Sequence, residues 1–104
     1  MGEGSLSDLW TLQLGLFGDV AEWDEVEVVG EGPPARSYHA MAAIGTRIYV
    51  FGGCGEAGRL SDLWECDTAH APPRWRQLPS SRAVRGRGGA GFCALDGALY
   101  VYGG

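Results

Sequence analysis

The stretch Arg47-Ile48-Tyr49-Val50-Phe51-Gly52-Gly53 decides the fold, because the chain contains it twice. It returns as Ala98-Leu99-Tyr100-Val101-Tyr102-Gly103-Gly104, so the offset between the two glycine doublets is 104 − 53 = 51 residues. A second pair of copies interleaves with the first. Leu6-Ser7-Asp8-Leu9-Trp10 returns as Leu60-Ser61-Asp62-Leu63-Trp64, and 64 − 10 gives an offset of 54 residues. Self-similarity at a period of roughly 50 residues predicts an array of one repeated supersecondary unit.

Single residues outside these stretches keep nearly the same spacing. Arg36 returns as Arg87 at an offset of 51 residues, and Trp23 returns as Trp75 at an offset of 52. Glycine doublets allow positive φ and a close approach of neighbouring backbone, and large aromatic rings suit packing between sheets. We therefore take two glycine doublets and four tryptophans as structural marks of the repeat: Gly52, Gly53, Gly103, Gly104, Trp10, Trp23, Trp64 and Trp75.

The composition is that of a globular chain, and its charge excludes several classes of partner. Of the 104 residues, 45% are hydrophobic and 20% are charged, with a formal net charge of −5. A negative chain gives no electrostatic basis for binding nucleic acid or an anionic membrane surface. No apolar run approaches the ~20 residues needed to cross a bilayer. We therefore expect neither a nucleic-acid partner nor a membrane partner.

The cysteines and the metal-ligating residue types indicate a reducing compartment and no cofactor. Cys54, Cys66 and Cys93 form an odd set without a Cys-x-x-Cys pair, which is typical of free thiols. The first residues lack the basic stretch and apolar run of a signal peptide. No His, Cys, Asp or Glu spacing matches a metal site. We therefore expect cytoplasmic or nuclear localisation, with no metal, no cofactor and no catalytic residue.

Polar and apolar alternation with intervening turn signals predicts strands along the whole chain. The glycine doublet at 52–53 is expected to end the fourth strand, and residues 54–59 are expected to form a variable loop. No helical periodicity competes with this pattern. The predicted strands cover residues 8–15, 20–29, 38–44, 47–51, 61–67, 74–78, 88–95 and 98–102.

These marks together resemble the kelch repeat. The resemblance rests on the glycine doublet after a Tyr-Val-aromatic strand, on Asp62-Leu63-Trp64, and on Trp75 at the start of the next strand. It implies an all-β, kelch-type β-propeller fragment built from antiparallel four-stranded blades. The implied repeats are strands c-d in residues 1–32, a complete a-b-c-d repeat in residues 33–79, and strands a-b in residues 80–104.

The predicted strands amount to about two blades, whereas propellers close with about four to eight. An open array leaves strand edges and apolar faces uncovered. We therefore expect the chain to be part of a larger propeller, or else to complete one by self-association. Asp8 and Asp62 stand where a strand begins, and we expect their carboxylates to accept backbone N–H groups in turns.

Two equivalent arginines are the candidate ligand-binding residues. Arg36 and Arg87 stand at the entry to the innermost strand of successive repeats, so both are expected at one mouth of the central channel. There a guanidinium group could bind a carboxylate or sulfate group bidentately. The competing interpretation is that each arginine pairs with a loop carbonyl or an acid of the next blade.

The resemblance favours a non-enzymatic protein–protein interaction module whose rim loops contact a protein partner. The candidate loops cover residues 54–59, 69–73 and 79–86, and Arg82 and Arg85 make the last of these suited to an acidic partner. The alternative comes from a resemblance to the plant nitrile-specifier and thiocyanate-forming kelch proteins. It implies an iron-dependent enzyme acting on a small sulfated or thiohydroximate-type substrate, with the metal site outside this chain.

Overall fold

The computed structural model describes residues 5–14, 20–80 and 83–104, which form eight strands. No helix that could span a membrane occurs in these three segments. The strands are β1 (Trp10–Leu14), β2 (Val20–Glu25), β3 (Ala40–Ile44), β4 (Arg47–Gly55), β5 (Gly58–Asp67), β6 (Arg74–Leu78), β7 (Gly91–Leu95) and β8 (Ala98–Tyr102).

The strands form three antiparallel sheets in the order that the sequence predicts. A four-stranded sheet, β3-β4-β5-β6, lies between the pairs β1-β2 and β7-β8. We call the four-stranded sheet the central blade, β1-β2 the N-terminal half-blade and β7-β8 the C-terminal half-blade. The all-β architecture with one complete blade is confirmed. The three sheets fall within the predicted segments 1–32, 33–79 and 80–104, whose boundaries stay predictions.

The centre of the central blade is a long hairpin, which corrects one expectation. Cys54 pairs with Arg59 and Gly55 with Gly58, so β4 and β5 continue to a two-residue turn and residues 54–59 are not a loop. The register of β4 and β5 shifts between Phe51 and Gly53. The glycine doublet therefore absorbs an irregularity within the strand and does not end it.

The central blade is covered on both faces, as the continuous apolar run of β4 predicts. On one face Val50, Trp64, Cys66 and Trp75 form a buried cluster that also takes in Leu9 of the N-terminal segment. The neighbouring residue Phe51 points to the opposite face. Its ring stacks on Phe92 of β7, with centroids 6.0 Å apart and planes 22° apart. The N-terminal segment therefore packs on one face of the central blade, and the C-terminal half-blade packs on the other.

The four marker tryptophans lie in two different environments. Trp64 and Trp75 of the central blade are 6% and 8% exposed. Trp10 and Trp23, their counterparts in the N-terminal half-blade, are 48% and 63% exposed. Equivalent sequence positions are therefore buried where a neighbouring sheet covers them and open where none of the described segments does.

Candidate functional site

Arg36 is held by four hydrogen bonds within the chain. Its Nη1 and Nη2 donate to the two carboxylate oxygens of Asp62 at 2.7 and 2.8 Å. Nη1 also donates to the carbonyl oxygen of Gly52, and Nε donates to that of Pro34, both at 3.1 Å. The side chain is only 3% exposed. We call this arrangement the arginine clamp: it ties the lead-in to β3, the glycine doublet and the start of β5 together.

Asp62 is the centre of the clamp. Besides the guanidinium group of Arg36, it accepts the indole N–H of Trp64 at 2.7 Å. Partial burial works against the charged carboxylate, but the hydrogen bonds from Arg36 and Trp64 and the charge of Arg36 outweigh it and lower the pKa of Asp62 below its ordinary value. The carboxylate is therefore ionised at neutral pH, and its contacts are structural. Asp62 also accepts a backbone N–H, its own, as expected, and it serves in addition as the counter-ion of Arg36.

Arg87 repeats half of this arrangement. Its Nε donates to the carbonyl oxygen of Arg85 and its Nη1 to that of Gly103, both at 3.0 Å. These acceptors stand 51 residues after the Pro34 and Gly52 carbonyls that serve Arg36. Among residues 5–14, 20–80 and 83–104, no carboxylate forms an ion pair with Arg87. Of the two predicted channel-mouth arginines, Arg87 is thus the one with hydrogen-bonding capacity to offer.

Asp8 supplies the other half. The indole N–H of Trp10 donates to one of its carboxylate oxygens at 2.8 Å, as Trp64 does to Asp62. No cation in the described part of the chain pairs with Asp8. Arg87 and Asp8 therefore each repeat a part of the contacts that form the arginine clamp.

The glycine doublet lets the next repeat approach the central blade. Gly53 donates its N–H to the carbonyl oxygen of Arg87 at 2.8 Å, and Arg87 donates its own N–H to Leu60 at 3.0 Å. Gly52 has a φ of 67°, and a Cβ atom there would lie 2.7 Å from the Arg87 carbonyl oxygen. Only a residue without a side chain allows this approach.

Tyr38 is a candidate site residue that the sequence reasoning missed. Its φ is 57°, and the residue is 73% exposed. Residue 89, which stands 51 positions later, is a glycine with a φ of 73°. Left-handed backbone costs a non-glycine residue of order 1–3 kcal/mol, and nothing that the ring buries here compensates for it. The pairing of a tyrosine with a glycine in the repeat alignment was the available signal.

The remaining predicted rim residues lie at exposed positions or outside the described segments. Arg85 is exposed, and its carbonyl oxygen serves Arg87. Arg82 lies outside the described residues. No three His, Cys, Asp or Glu side chains of the described segments are grouped so that they could hold a metal ion.

A buried carboxylate on the outer part of the central blade was also missed by the sequence reasoning. Glu65 is 6% exposed and accepts the hydroxyl of Tyr49 at 2.9 Å and Nε of Arg76 at 3.2 Å. Burial, followed by the hydrogen bond and charge of Glu65, raises the pKa of the Tyr49 hydroxyl. Each buried polar side chain of the described segments has a partner, so this cluster is a structural tie between β4, β5 and β6.

The family described as "KLHDC2/KLHL20/DRC7 Kelch-repeats domain" matches the chain over residues 1–104. The chain belongs to the kelch-repeat family. The three sheets are therefore one complete propeller blade and two half-blades of a kelch β-propeller. The glycine doublets and the Asp-Leu-Trp stretches are marks of that repeat.

The kelch chain is also similar to parts of several much longer proteins. It is 34% identical over 95 residues to putative adagio-like protein 2 of Oryza sativa subsp. japonica, covering 90% of this chain and 15% of that protein. It is 35% identical over 88 residues to the dynein alpha chain of the flagellar outer arm of Chlamydomonas reinhardtii, covering 79% of the chain and 2% of the relative.

A third relative is an enzyme. N-(sulfonatooxy)prop-2-enimidothioate sulfolyase of Thlaspi arvense is 33% identical over 88 residues, which cover 78% of this chain and 25% of that enzyme. The chain thus spans only a small part of each of these relatives. The activities of these relatives belong to proteins that contain far more sequence than the matched part.

Proposed function

We propose that this kelch chain belongs to a protein–protein interaction module and contacts its partner through the blade rim that carries Tyr38 and Arg85. The observation that carries the proposal is the conformation of Tyr38. A bulky aromatic residue occupies a left-handed backbone position and leaves its ring in solvent. Strained residues of this kind cluster at functional sites, and exposed tyrosine is enriched in protein interfaces.

The surroundings of Tyr38 support a peptide or protein partner. Its carbonyl oxygen accepts the N–H of Gly89 at 2.8 Å, so the backbone that presents the ring is tied to the next repeat. A rigid aromatic residue loses little conformational freedom when it becomes buried against a partner. The ring is thus preorganised for contact, which lowers the entropic cost of binding.

Arginines of the adjoining loop favour an acidic surface on the partner. Arg85 is exposed in the segment between β6 and β7, and Arg82 belongs to the same stretch of sequence. Guanidinium groups bind carboxylates with strong, charge-assisted hydrogen bonds. Because the chain as a whole carries −5, a local basic patch would select for partners whose acidic groups face this rim.

The experiment is an affinity purification with the intact protein and its variants, followed by binding measurements with a recovered partner. Tyr38→Gly removes the ring and also relieves the left-handed backbone, so we expect folding to be retained and partner recovery to fall about ten-fold or more. Joint charge reversal of Arg82 and Arg85 should slow association and weaken its dependence on salt.

Arg74→Glu is the matched control, because Arg74 is an exposed arginine at the opposite end of β6 from this loop. Unchanged recovery with both Tyr38→Gly and the double charge reversal would contradict the proposed rim. If Arg74→Glu also reduced partner recovery, the reduction would come from the change in net charge and not from this rim.

A second candidate function is part of a specifier-like enzyme, favoured by the match to a sulfolyase. Arg87, with its remaining hydrogen-bonding capacity, is the residue that would face an anionic substrate group. The described residues offer no donor cluster for iron, so any iron site would lie outside them. A bound-iron assay on the intact protein that finds no metal, with no product in the presence of added Fe²⁺, would remove this candidate.

For localisation the proposal is a reducing compartment, the cytoplasm or the nucleus. Three free cysteines, with Cys93 exposed and Cys54 partly exposed, support it, because exposed thiols are rare in oxidising compartments. Fluorescence microscopy of the tagged full-length protein tests it, and a secretory pattern would contradict it.

A further inference from the structure

A second concave site lies at the end of the central blade that carries the β3–β4 turn and the β5–β6 loop. Arg47 is the first residue of β4 and Arg74 is the first of β6, so both stand at this end. An open cavity of about 330 Å³ lies there, and this volume is within the usual range of ligand pockets. We call it the basic cavity, and its lining residues are Arg47, Glu65, Asp67, His70, Arg74 and Arg76.

The strand register gathers three arginines on one face of the blade. Arg47 pairs with Asp67, and Asp67 pairs with Arg74, which makes one row across three strands. Glu65 pairs with Arg76 in the neighbouring row. Directly opposite residues of antiparallel strands share a face, and so do residues two apart in one strand. Three guanidinium groups therefore lie beside two carboxylates, which leaves a local excess of one positive charge.

Glu65 occupies only part of the hydrogen-bonding capacity of these arginines. Nη2 of Arg76 lies 3.2 Å from its Oε1, and Nη1 of Arg47 lies 3.8 Å from its Oε2. The two arginine side chains are still 63% and 52% exposed. Arg74 is exposed as well, and its guanidinium group has no hydrogen bond or ion pair with the residues that the structure describes. Because each guanidinium group carries five N–H donors, all three have donors left for a ligand.

His70 adds a further polar group from the β5–β6 loop. Its Nδ1 lies 2.7 Å from the carbonyl oxygen of Pro72, and because a carbonyl oxygen can only accept, Nδ1 is the donor. Nε2 is therefore the ring nitrogen that a ligand in the basic cavity would meet. The backbone N–H of His70 donates to the carbonyl oxygen of Asp67 at 3.3 Å, so the loop that carries the ring is tied to β5.

The positive charge of the basic cavity is not a requirement of the repeat. Trp75 of β6 stands between two arginines, whereas its equivalent in β2, Trp23, stands between Glu22 and Asp24. The same strand therefore forms in both repeats with charges of opposite sign at equivalent positions. Packing of the blade does not explain the arginines, and a ligand of negative charge does.

We propose that the basic cavity binds a phosphate monoester dianion, held by Arg47, Arg74 and Arg76. A phosphate monoester brings a charge of about −1.5 to −2 and three acceptor oxygens at neutral pH. Guanidinium groups bind such oxygens through parallel pairs of hydrogen bonds. A carboxylate would bring one charge and two oxygens, fewer than three exposed guanidinium groups can bind. The inference goes beyond the proposed function and does not depend on it.

The experiment titrates the intact protein calorimetrically with inorganic phosphate and, separately, with a short phosphoserine peptide and its unphosphorylated form. We expect saturable binding of both phosphate probes and none of the unphosphorylated peptide. Tighter binding of the phosphopeptide than of inorganic phosphate would identify a phosphorylated protein segment as the source of the group. Equal or weaker binding of the phosphopeptide would identify a small phosphate compound. Because the chain as a whole carries −5, the attraction is local, and added salt should weaken it.

Arg74→Gln is the decisive variant. It removes a guanidinium group that holds no other side chain of the described segments, so the fold should be retained and the affinity for phosphate should fall about ten- to hundred-fold. Arg59→Gln is the matched control, because it makes the same charge change at an exposed arginine on the β4–β5 hairpin, at the other end of the blade. This control should bind phosphate as the unaltered protein does.

Two results would overturn the proposal. One is the absence of saturable binding of either phosphate probe. The other is an equal affinity for phosphate in Arg74→Gln, Arg59→Gln and the unaltered protein. Arg74→Gln acts on the basic cavity, whereas Tyr38→Gly acts on a rim at the opposite end of the blade, where the neighbouring Ser37 pairs with Cys54. The two proposals can therefore fail independently.

Discussion

Replacing Asp62 by Asn is the sharpest test of the arginine clamp. The change keeps the size of the side chain but removes the negative charge that Arg36 meets at 2.7 and 2.8 Å. The guanidinium group, only 3% exposed, would then be an unpaired charge away from water. Losing one partner of a buried pair typically costs about 3–5 kcal/mol.

The magnitude follows from the exposure of the two partners. The Asp62 side chain is 21% exposed, so water partly screens the pair, and we expect a loss of about 2–3 kcal/mol in the free energy of unfolding. For a chain of this size such a loss lowers Tm by roughly 10–20 °C. Urea unfolding followed by tryptophan fluorescence measures this loss.

Asp8→Asn is the matched control. Asp8 occupies the equivalent position and accepts the equivalent indole N–H of Trp10 at 2.8 Å, but it has no guanidinium partner in the described residues. Replacing Asp8 should therefore lower the free energy of unfolding much less than replacing Asp62 does. Equal losses from the two variants would refute the reasoning, because they would show that the loss at Asp62 does not come from its ion pair with Arg36.

The pH dependence of the same pair has a definite sign. The native pKa of Asp62 is lowered, so the unfolded chain binds a proton at Asp62 more readily than the native chain does. The stabilisation is fully present above the ordinary aspartate pKa of about 3.9 and is lost as the pH falls through the lowered native value. The acid-induced loss of stability should be shallower in Asp62→Asn than in the unaltered chain, and equal slopes would contradict the assignment.

Three further changes test other parts of the structure. Gly53→Ala should lower the free energy of unfolding, measured in urea, by more than about 1 kcal/mol, because a position with a φ of 99° would gain a side chain. Gly45→Ala, whose Cβ would meet nothing within 4 Å, should lower the free energy of unfolding by less. Tyr38→Gly should leave the free energy of unfolding unchanged or raise it by up to about 1 kcal/mol, and a clear loss would show that the ring is structural. Because burial raises the pKa of the Cys66 thiol, this thiol should resist alkylation at neutral pH while exposed Cys93 reacts; mass spectrometry of the labelled peptides gives the order.

The repeat in the sequence was enough to predict the sheets, because a fixed offset relates backbone positions directly. Gly52 and Gly53 were singled out on that basis, and both have a positive φ against the backbone of a neighbouring segment. The strand order within a blade was implied by the resemblance to the kelch repeat. The β4–β5 hairpin was missed, since a glycine doublet is compatible both with a strand end and with an irregularity inside a longer strand.

The candidate site was less predictable from the sequence, because the repeat shows which residues are equivalent but not which side chains touch each other. Arg36 and Arg87 were identified as a pair, yet the carboxylate that binds Arg36 belongs to its own blade, at Asp62, and not to the next one. The bridge between Ser37 and Cys54 places Arg36 beside β4, and the register of β4 and β5 places Asp62 next to it. Neither pairing can be read from spacing alone. Buried Glu65 was missed for the same reason, because its partners come from strands on either side of β5.

The backbone bond that ties each repeat to the preceding one has a consequence for how repeat number can change in evolution. The N–H of Arg36 donates to Leu6 at 3.2 Å, and that of Arg87 donates to Leu60 at 3.0 Å, so each repeat carries an acceptor for the arginine that follows. A duplication of the 51 residues from 36 to 86 would copy one arginine, its aspartate and this acceptor together. The new unit would find the same donors and acceptors at both of its junctions, so blades can be added or removed by recombination without inventing a new contact.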